Sequence, residues 1–202
     1  MNALHHATDA RDHILATAEI IMSGKGFSAV GLNEILAAAG VPKGSFYHYF
    51  PSKDAFGEAL LERYFDHYMQ VLDSILAAPE LSGAQRLMSY WQRWLDTQGD
   101  GDPDGKCLAV KLGAEVADLS EAMRGVLLRG TTQVIKRLGQ AIDAGVADGS
   151  LQVSGPGCRL AESLYQVWLG ASLLAKIARD NGPLKSAMTT TYRLLNLDPS
   201  VP

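Results

Sequence analysis

The sequence predicts an all-α fold, in which an N-terminal domain of three helices precedes a longer helical bundle. Apolar residues recur three, four, seven and eight positions apart along most of the chain, which is the spacing of one buried helix face. Polar segments rich in glycine, QGDGDPDGK and DGSLQVSGPG, separate these periodic stretches. The runs VGL and SLQVS are too short to pair into a sheet.

The first two helices are each predicted to end at glycine. The first has an apolar stripe that stops at Gly24 and Gly26, and the second stops at Gly40, with Gly31 or Asn33 as its N-cap. Their buried faces are predicted to comprise Ile14, Leu15, Ala18, Ile21 and Met22 in the first helix and Leu32, Ile35, Leu36 and Ala39 in the second.

A tight turn at Gly40-Val41 leads to a short third helix. Pro42 suits its first helical position, because proline lacks the N–H that would be unpaired there. The predicted order is a helix, a short helix, a tight turn and another short helix, which is the order of a helix-turn-helix domain. We therefore place a helix-turn-helix domain at residues 1–53 and a second domain at residues 54–202.

The second domain begins with a long helix, for which Ser52 is the predicted N-cap. The helical spacing of apolar residues in this helix continues until Pro79. The apolar positions of this fourth helix are Phe56, Leu60, Tyr64, Tyr68, Val71 and Ile75. Further helices are predicted near residues 83 to 97, 106 to 117, 120 to 148, 156 to 180 and 183 to 196.

Composition limits the possible functions. The chain has 202 residues, of which 47% are hydrophobic, and its formal net charge is −4. Such a chain is unsuited to coating nucleic acid non-specifically, although a small DNA-reading surface is compatible with it. The N-terminus lacks the order of a signal peptide, and the apolar run VWLGASLLAKIA is too short for a membrane span. We therefore expect a cytoplasmic protein without a membrane partner.

We expect neither a metal nor a cofactor. DGDPDG, residues 100 to 105, resembles the opening of a calcium loop, but the twelfth position, which requires a bidentate glutamate, is Lys111. No zinc-ligand spacing is present. The two cysteines, Cys107 and Cys158, can form at most one disulfide, which a reducing compartment disfavours.

The segment PKGSFYHYF, residues 42 to 50, carries the main functional signal. On a helix that begins here, Phe46 and Phe50 share a face that packs, while the opposite face is presented. Gly44 and Ser45 lack bulk, so the first turn and its free N–H groups can approach a DNA groove closely. The other side chains predicted to contact DNA are Lys43, Tyr47, His48, Tyr49 and Lys53.

The alternative for this segment is an ordinary aromatic cluster that ties the third helix to the fourth. Tyr49 suits both interpretations equally, because it lies only three residues from Phe46. A helical adaptor that binds only protein would explain the bundle but would leave PKGSFYHYF without a role. The order of the residues therefore favours DNA binding.

The stretch GFSAVGLNEILAAAGVPKGSFYHYFPSKDAF resembles the TetR family of bacterial transcriptional regulators. Gly31 departs from the family pattern, in which this position is usually Ser or Thr. The resemblance implies a ligand-binding and dimerisation domain at residues 54–202 and a homodimer paired through the last two long helices. It further implies binding to a palindromic operator, which the protein releases when a small molecule changes the shape of the C-terminal domain. Regulators of this family usually repress transcription, so the resemblance implies repression over activation.

Two later stretches, GKCLAVKLGAEVADLSEAMR and YQVWLGASLLAKIARD, resemble the subgroup that includes the repressor of N-ethylmaleimide reductase. This resemblance implies a response to reactive electrophiles or oxidants through a cysteine, and the matching thiol is Cys107. A helix start and the adjacent Lys106 would favour its thiolate, whereas the acidic loop before it acts in the opposite direction. An unreactive buried cysteine is the alternative. Cys158 is interpreted as a spectator or a resolving partner.

The remaining effector candidates are one lysine and four aromatic residues. Lys176 lies inside the apolar run WLGASLLAKIA and either extends past the helix edge to water or approaches Cys107, to stabilise its thiolate or bond to the oxidised sulfur. The aromatic candidates either line an apolar effector pocket or form core. They are Trp91, Trp94, Tyr165 and Trp168.

An enzyme is the rival class. A thiol hydrolase or isomerase would use Cys107 with a histidine base, but His48 is assigned to the DNA face and the other histidines are poorly placed. We therefore expect no catalytic residues and no enzymatic activity. A regulator that binds an apolar ligand non-covalently, without thiol sensing, is the other alternative.

Overall fold

The structure, a computed structural model, describes residues 2–98 and 108–198, with side chains from residue 10 onward. Within these ranges it consists of nine α-helices and contains no strand, so the all-α prediction is confirmed. The helices are α1 (Asn2–Lys25), α2 (Leu32–Ala39), α3 (Lys43–Tyr49), α4 (Lys53–Leu76), α5 (Gly83–Gln98), α6 (Leu108–Leu119), α7 (Glu121–Ala147), α8 (Gly157–Ala178) and α9 (Gly182–Leu194). None of the described helices is long and apolar enough to cross a bilayer.

The chain divides into two compact units. The first comprises Met1–His67 and Lys106–Gly130, and the second comprises Tyr68–Gly105 and Thr131–Pro202. Helix α6 therefore groups with α1, α2 and α3, which sequence periodicity could not show because the two segments are far apart in the chain. The functional boundary after residue 53 stays a prediction.

The turn between α2 and α3 depends on a glycine in the left-handed conformation. Gly40 has φ 64° and ψ 29°, and the N–H of Val41 donates to the carbonyl of Leu36 at 3.0 Å. A residue without Cβ is strongly favoured at this φ, so the chain reverses sharply after a helix of only 8 residues. Gly31 is the N-cap of α2, one of the two residues predicted for that role, and makes no side-chain capping bond.

Pro42 lies one position outside the place predicted for it. Its φ of −63° and ψ of 146° are extended, and its carbonyl accepts a hydrogen bond from the N–H of Ser45 at 3.0 Å. Pro42 is therefore the N-cap of α3, and the first helical residue is Lys43. Ser52 caps α4 as predicted, since its Oγ accepts the N–H of Ala55 at 3.0 Å.

The first unit is organised around three phenylalanine rings that join α3 to α4. The centroids of Phe46 and Phe50 lie 5.1 Å apart, those of Phe46 and Phe56 lie 5.3 Å apart, and those of Phe50 and Phe56 lie 5.1 Å apart. All three side chains are almost completely buried. The prediction that Phe46 and Phe50 share a packed face is confirmed, and this packing fixes the orientation of α3.

The second unit has an aromatic core. Trp91 of α5 and Trp168 of α8 stack with their centroids 5.1 Å apart and an interplanar angle of 15°. The indole N–H of Trp94 donates to Ser172 Oγ at 3.0 Å, and that of Trp168 donates to Thr191 Oγ1 at 2.9 Å. These buried hydrogen bonds link α8 to both α5 and α9 and hold the three helices in one register.

Candidate nucleic-acid interface

The seven residues of α3 divide into a buried face and an exposed face. Phe46 is completely buried, whereas the side chain of Tyr47 is 53% exposed. Ser45 and Tyr49 are half-buried and flank the exposed positions. We call the exposed set the α3 outer face, and it consists of Lys43, Gly44, Tyr47 and His48. Of the seven residues predicted to contact DNA, Ser45 and Tyr49 are half-buried and the other five are exposed to solvent.

Two residues of α1 contact the segments that border α3, one at the end of α2 and one directly after α3. The guanidinium of Arg11 lies 5.4 Å from the centroid of the Phe50 ring, directly after α3. The His13 Nε2 is 3.2 Å from the carbonyl oxygen of Ala39, the last residue of α2. Sequence reasoning missed both residues, because nothing local in the sequence pairs α1 with positions 26 or more residues away.

Tyr49 lies at the border between the packed and the exposed sides of α3. Its ring contacts the buried Phe50 ring with centroids 6.4 Å apart and the exposed His48 ring with centroids 5.0 Å apart. Tyr49 therefore links the packed side of α3 to the α3 outer face. Its ring also limits where the His48 imidazole can lie.

Lys53 is exposed at the start of α4 but is not a free cation. Its Nζ donates to the carbonyl of Val30 at 3.2 Å and lies 4.8 Å from the centroid of the Phe27 ring. Both contacts attach the ammonium to the segment that precedes α2. Two of its three N–H groups remain for other acceptors, so a phosphate contact by Lys53 stays a prediction.

Charge on this part of the chain is largely compensated. Lys25 pairs with Glu34 across the α1–α2 turn, and Arg63 of α4 pairs with Glu19 of α1. Lys43, by contrast, makes no ion pair with any residue that the structure describes. The α3 outer face thus carries one uncompensated lysine together with phenol and imidazole groups, which suits a small site for a polyanion.

The four aromatic effector candidates lie in the core of the second unit. All four are buried and contact one another, so they form core, one of the two arrangements considered for them. The indole N–H of Trp91 has no hydrogen-bond partner among the described residues. Their role in binding an effector stays a prediction.

A groove of about 980 Å³ lies elsewhere in the second unit, between the α5 surface and the end of α9. None of the four aromatic candidates lines it. Its lining residues include Met88, Gln92, Arg93, Tyr192 and Leu197. Sequence reasoning did not identify this groove, because its lining combines surface positions of two helices that are distant in the chain.

Of the two cysteines, only Cys158 lies among the described residues. Cys107, Lys106 and the calcium-like segment DGDPDG lie outside the described residues. Lys176 is exposed near the end of α8, and Cys158 is an exposed free cysteine in the first turn of the same helix. The described residues contain no group of three or more His, Cys, Asp or Glu side chains that could hold a metal ion.

Comparison with known proteins assigns the family. The model for "Bacterial regulatory proteins, tetR family" matches residues 14–60, and that for "Tetracyclin repressor-like, C-terminal domain" matches residues 83–191. The HTH-type transcriptional repressor NemR of Escherichia coli (strain K12) is 44% identical over 191 residues, which cover 95% of this chain and 96% of that protein. The HTH-type transcriptional repressor DhaR of Mycobacterium sp. (strain GP1) is 32% identical over 189 residues, 93% of each chain. The crystal structure of reduced E. coli NemR matches with a TM-score of 0.88 over 96% of this chain and 100% of that one. The chain therefore belongs to the TetR family of bacterial regulatory proteins.

Proposed function

We propose that the protein is a transcriptional repressor that binds a palindromic DNA operator as a homodimer and leaves it when an electrophile or oxidant modifies Cys107. The observation that carries the DNA-binding part is the α3 outer face, which is exposed while the opposite side of the same short helix is buried. Relatives that match almost the whole chain are named transcriptional repressors, which supports repression over activation.

We assign DNA contacts to the outer face of α3 and its borders. Tyr47, His48 and Tyr49 donate hydrogen bonds to phosphates, and Lys43 supplies the local positive charge. The remaining assigned positions are Gly44, Ser45 and Lys53. In this proposal residues 1–53 form the DNA-binding domain and residues 54–202 the effector-sensing and dimerisation domain.

Dimerisation is assigned to α8 and α9, since α8 exposes a cluster of large apolar side chains. Leu173, Leu174 and Ile177 are 50%, 56% and 70% exposed, and their spacing places them along one side of the helix. Leu194 near the end of α9 is 41% exposed. A two-fold axis would bring two copies of this surface together in a four-helix interface, and each copy would cover the other.

Two paired operator half-sites also explain how a chain of net charge −4 binds DNA. The second half-site binds intramolecularly once the first is engaged, so each α3 outer face needs only modest affinity.

A variant with Leu174→Asp and Ile177→Asp is expected to be monomeric. Each charge would be buried twice in a symmetric interface, and the lost apolar burial alone is about 1.5–3 kcal/mol per side chain, so the dimer dissociation constant rises at least ~100-fold. Sedimentation equilibrium measures this directly. The control is Leu119→Asp, which changes a leucine of similar exposure on α6. If the double variant is still a dimer, the assignment of the interface to this surface is wrong.

Cys107 is the proposed sensor because a thiolate adds to Michael acceptors and is the form that oxidants convert to sulfenic acid. Lys176 is assigned to stabilise the thiolate or to bond to the oxidised sulfur. In the alternative, a non-covalent apolar ligand releases the repressor, and the groove of about 980 Å³ in the second unit favours keeping this option. Trp91, Trp94, Tyr165 and Trp168 are the further residues assigned to an effector.

The test is a mobility shift on the neighbouring intergenic DNA, with and without N-ethylmaleimide. The reagent is expected to release the wild-type protein by alkylating Cys107 and to leave Cys107→Ser bound, since the serine hydroxyl does not react. Cys158→Ser is the matched control and is expected to respond like wild type. Equal release of wild type and Cys107→Ser would eliminate the thiol sensor while leaving the repressor and its non-covalent alternative in place.

A further inference from the structure

The turn between α1 and α2 is held by side chains from α6, almost ninety residues away in sequence. The carboxylate of Glu115 accepts the backbone N–H of Ser28 at 2.7 Å through Oε1 and that of Phe27 at 3.1 Å through Oε2. One helix turn earlier, the Nζ of Lys111 donates to the carbonyl of Gly24 at 2.8 Å. All of these residues belong to the first compact unit.

These three bonds satisfy backbone groups that the helices leave unpaired. Gly24 is in the last turn of α1, where carbonyls lack helical partners and the helix dipole favours a cation. The N–H groups of Phe27 and Ser28 lie outside the helices, where an anion is a favourable acceptor, and both donate to Glu115. Lys111 and Glu115 are four residues apart and lie on the same face of α6, so one surface of that helix matches both sides of the turn.

The turn is shaped to receive the carboxylate. Gly26 has φ 95°, and a Cβ built there would lie 3.1 Å from Glu115 Oε2 and 3.9 Å from Lys111 Cε. Partial burial alone would raise the pKa of the Glu115 carboxyl. The hydrogen bonds from Ser28 and Phe27 and the nearby charge of Lys111 outweigh that effect and hold its pKa below the usual value. The carboxylate therefore stays charged at neutral pH.

We propose that Lys111 and Glu115 are positioning residues, through which α6 holds the α1–α2 turn in the arrangement that binds DNA. The turn precedes α2, and α2 with Gly40 sets the direction of α3. Lys53, at the base of α4, is anchored to the same segment through Val30 and Phe27. A displacement of α6 by about 1 Å away from the turn would stretch both Glu115 bonds past the ~3.2 Å limit of a normal hydrogen bond.

This inference rests on the proposed function, because α6 begins at Leu108, the residue after Cys107 in sequence. A helix rises about 1.5 Å per residue, so Glu115 lies only about 10 Å along α6 from its first residue. A change at Cys107 that moves the start of α6 would therefore be transmitted to the turn through a short, rigid segment.

The test compares Glu115→Ala, Glu115→Gln and Lys111→Met in the full-length chain. Glu115→Ala is expected to weaken operator binding on the order of tenfold, because it leaves two N–H donors unpaired. Glu115→Gln retains one acceptor oxygen and is expected to lose less than Glu115→Ala. The matched control is Glu121→Ala, which removes an exposed glutamate of the same unit that is paired with Arg124.

Two further readouts separate positioning from simple stabilisation. Hydrogen exchange at the amides of Phe27 and Ser28 is expected to accelerate at least about tenfold in Glu115→Ala. The melting temperature is expected to stay close to that of wild type, because partly exposed charged contacts add little stability. Wild-type operator affinity in Glu115→Ala, or an affinity loss that tracks only the melting temperature, would overturn the proposal.

N-ethylmaleimide distinguishes this inference from the sensor proposal. In wild type, alkylation is expected to accelerate exchange at Phe27 and Ser28, whereas in Glu115→Ala these amides already exchange quickly and change little. If N-ethylmaleimide does not release the wild-type protein from the operator, the thiol-sensing proposal is wrong. The operator affinity and the hydrogen-exchange rates of the unmodified variants still decide whether Glu115 positions the turn.

Discussion

Gly44→Leu is expected to weaken operator binding by at least ~100-fold while leaving the free energy of unfolding unchanged or raised. A Cβ at Gly44 meets no atom within 4 Å, so the fold has room for a side chain there. Leucine is also a better helix former than glycine by about 1 kcal/mol. A major groove is ~12 Å wide and an α-helix with side chains is ~10–12 Å in diameter, so added bulk on the α3 outer face holds the helix away from the base edges.

The opposite signs of the two effects make this result informative. Operator affinity is measured by fluorescence anisotropy at fixed salt, and stability by urea denaturation of the same preparation. Gly113→Leu is the matched control, because a Cβ at Gly113 on α6 also meets nothing within 4 Å. It is expected to bind operator like wild type. If Gly44→Leu also binds normally, α3 does not enter a groove at Gly44, and the DNA-contact assignment is wrong.

Phe46→Ala is expected to destabilise the first unit by about 3–5 kcal/mol, the range for removing a fully buried phenylalanine. The ring is 0% exposed and contacts the rings of Phe50 and Phe56, so its loss leaves a cavity between α3 and α4. Operator binding is expected to be lost as a consequence, because Phe46 is the only fully buried residue within α3 itself. Hydrogen exchange at amides of α2 and α3 measures the loss within this unit.

Tyr47→Ala gives the contrast at the next residue. Its side chain is 53% exposed, so the free energy of unfolding is expected to change by no more than about 0.5 kcal/mol, while operator affinity still falls. A stability loss for Tyr47→Ala as large as that for Phe46→Ala would mean that both faces of α3 are structural, and the aromatic-cluster interpretation would replace DNA binding.

The helices and the two faces of α3 could be predicted from the sequence, because both follow from local information. Apolar spacing gave each helix to within a few residues, and the four-residue separation of Phe46 and Phe50 identified the packed side. The sequence predicts Pro42 one position too far inside the helix, because a proline after a glycine turn fits either the N-cap or the first helical residue.

Contacts between distant segments could not be predicted in the same way. The bonds from Glu115 to residues 27 and 28, and the contact of Arg11 with Phe50, depend on which helices pack together. One sequence contains no record of that pairing. The same reason applies to Lys53, whose hydrogen bond to the carbonyl of Val30 could not be predicted from its position in the sequence.

The short length of α3 has a consequence for how such a regulator evolves. A segment of 7 residues is too short to hold a helix in water, so its conformation is supplied by Phe46 and by the phenylalanines that follow it. Mutations at Lys43, Tyr47 or His48 can thus explore new target sequences at little structural cost. Within the nine-residue segment PKGSFYHYF, different residues determine which DNA is bound and whether the helix folds. Selection can therefore change the first property without disturbing the second.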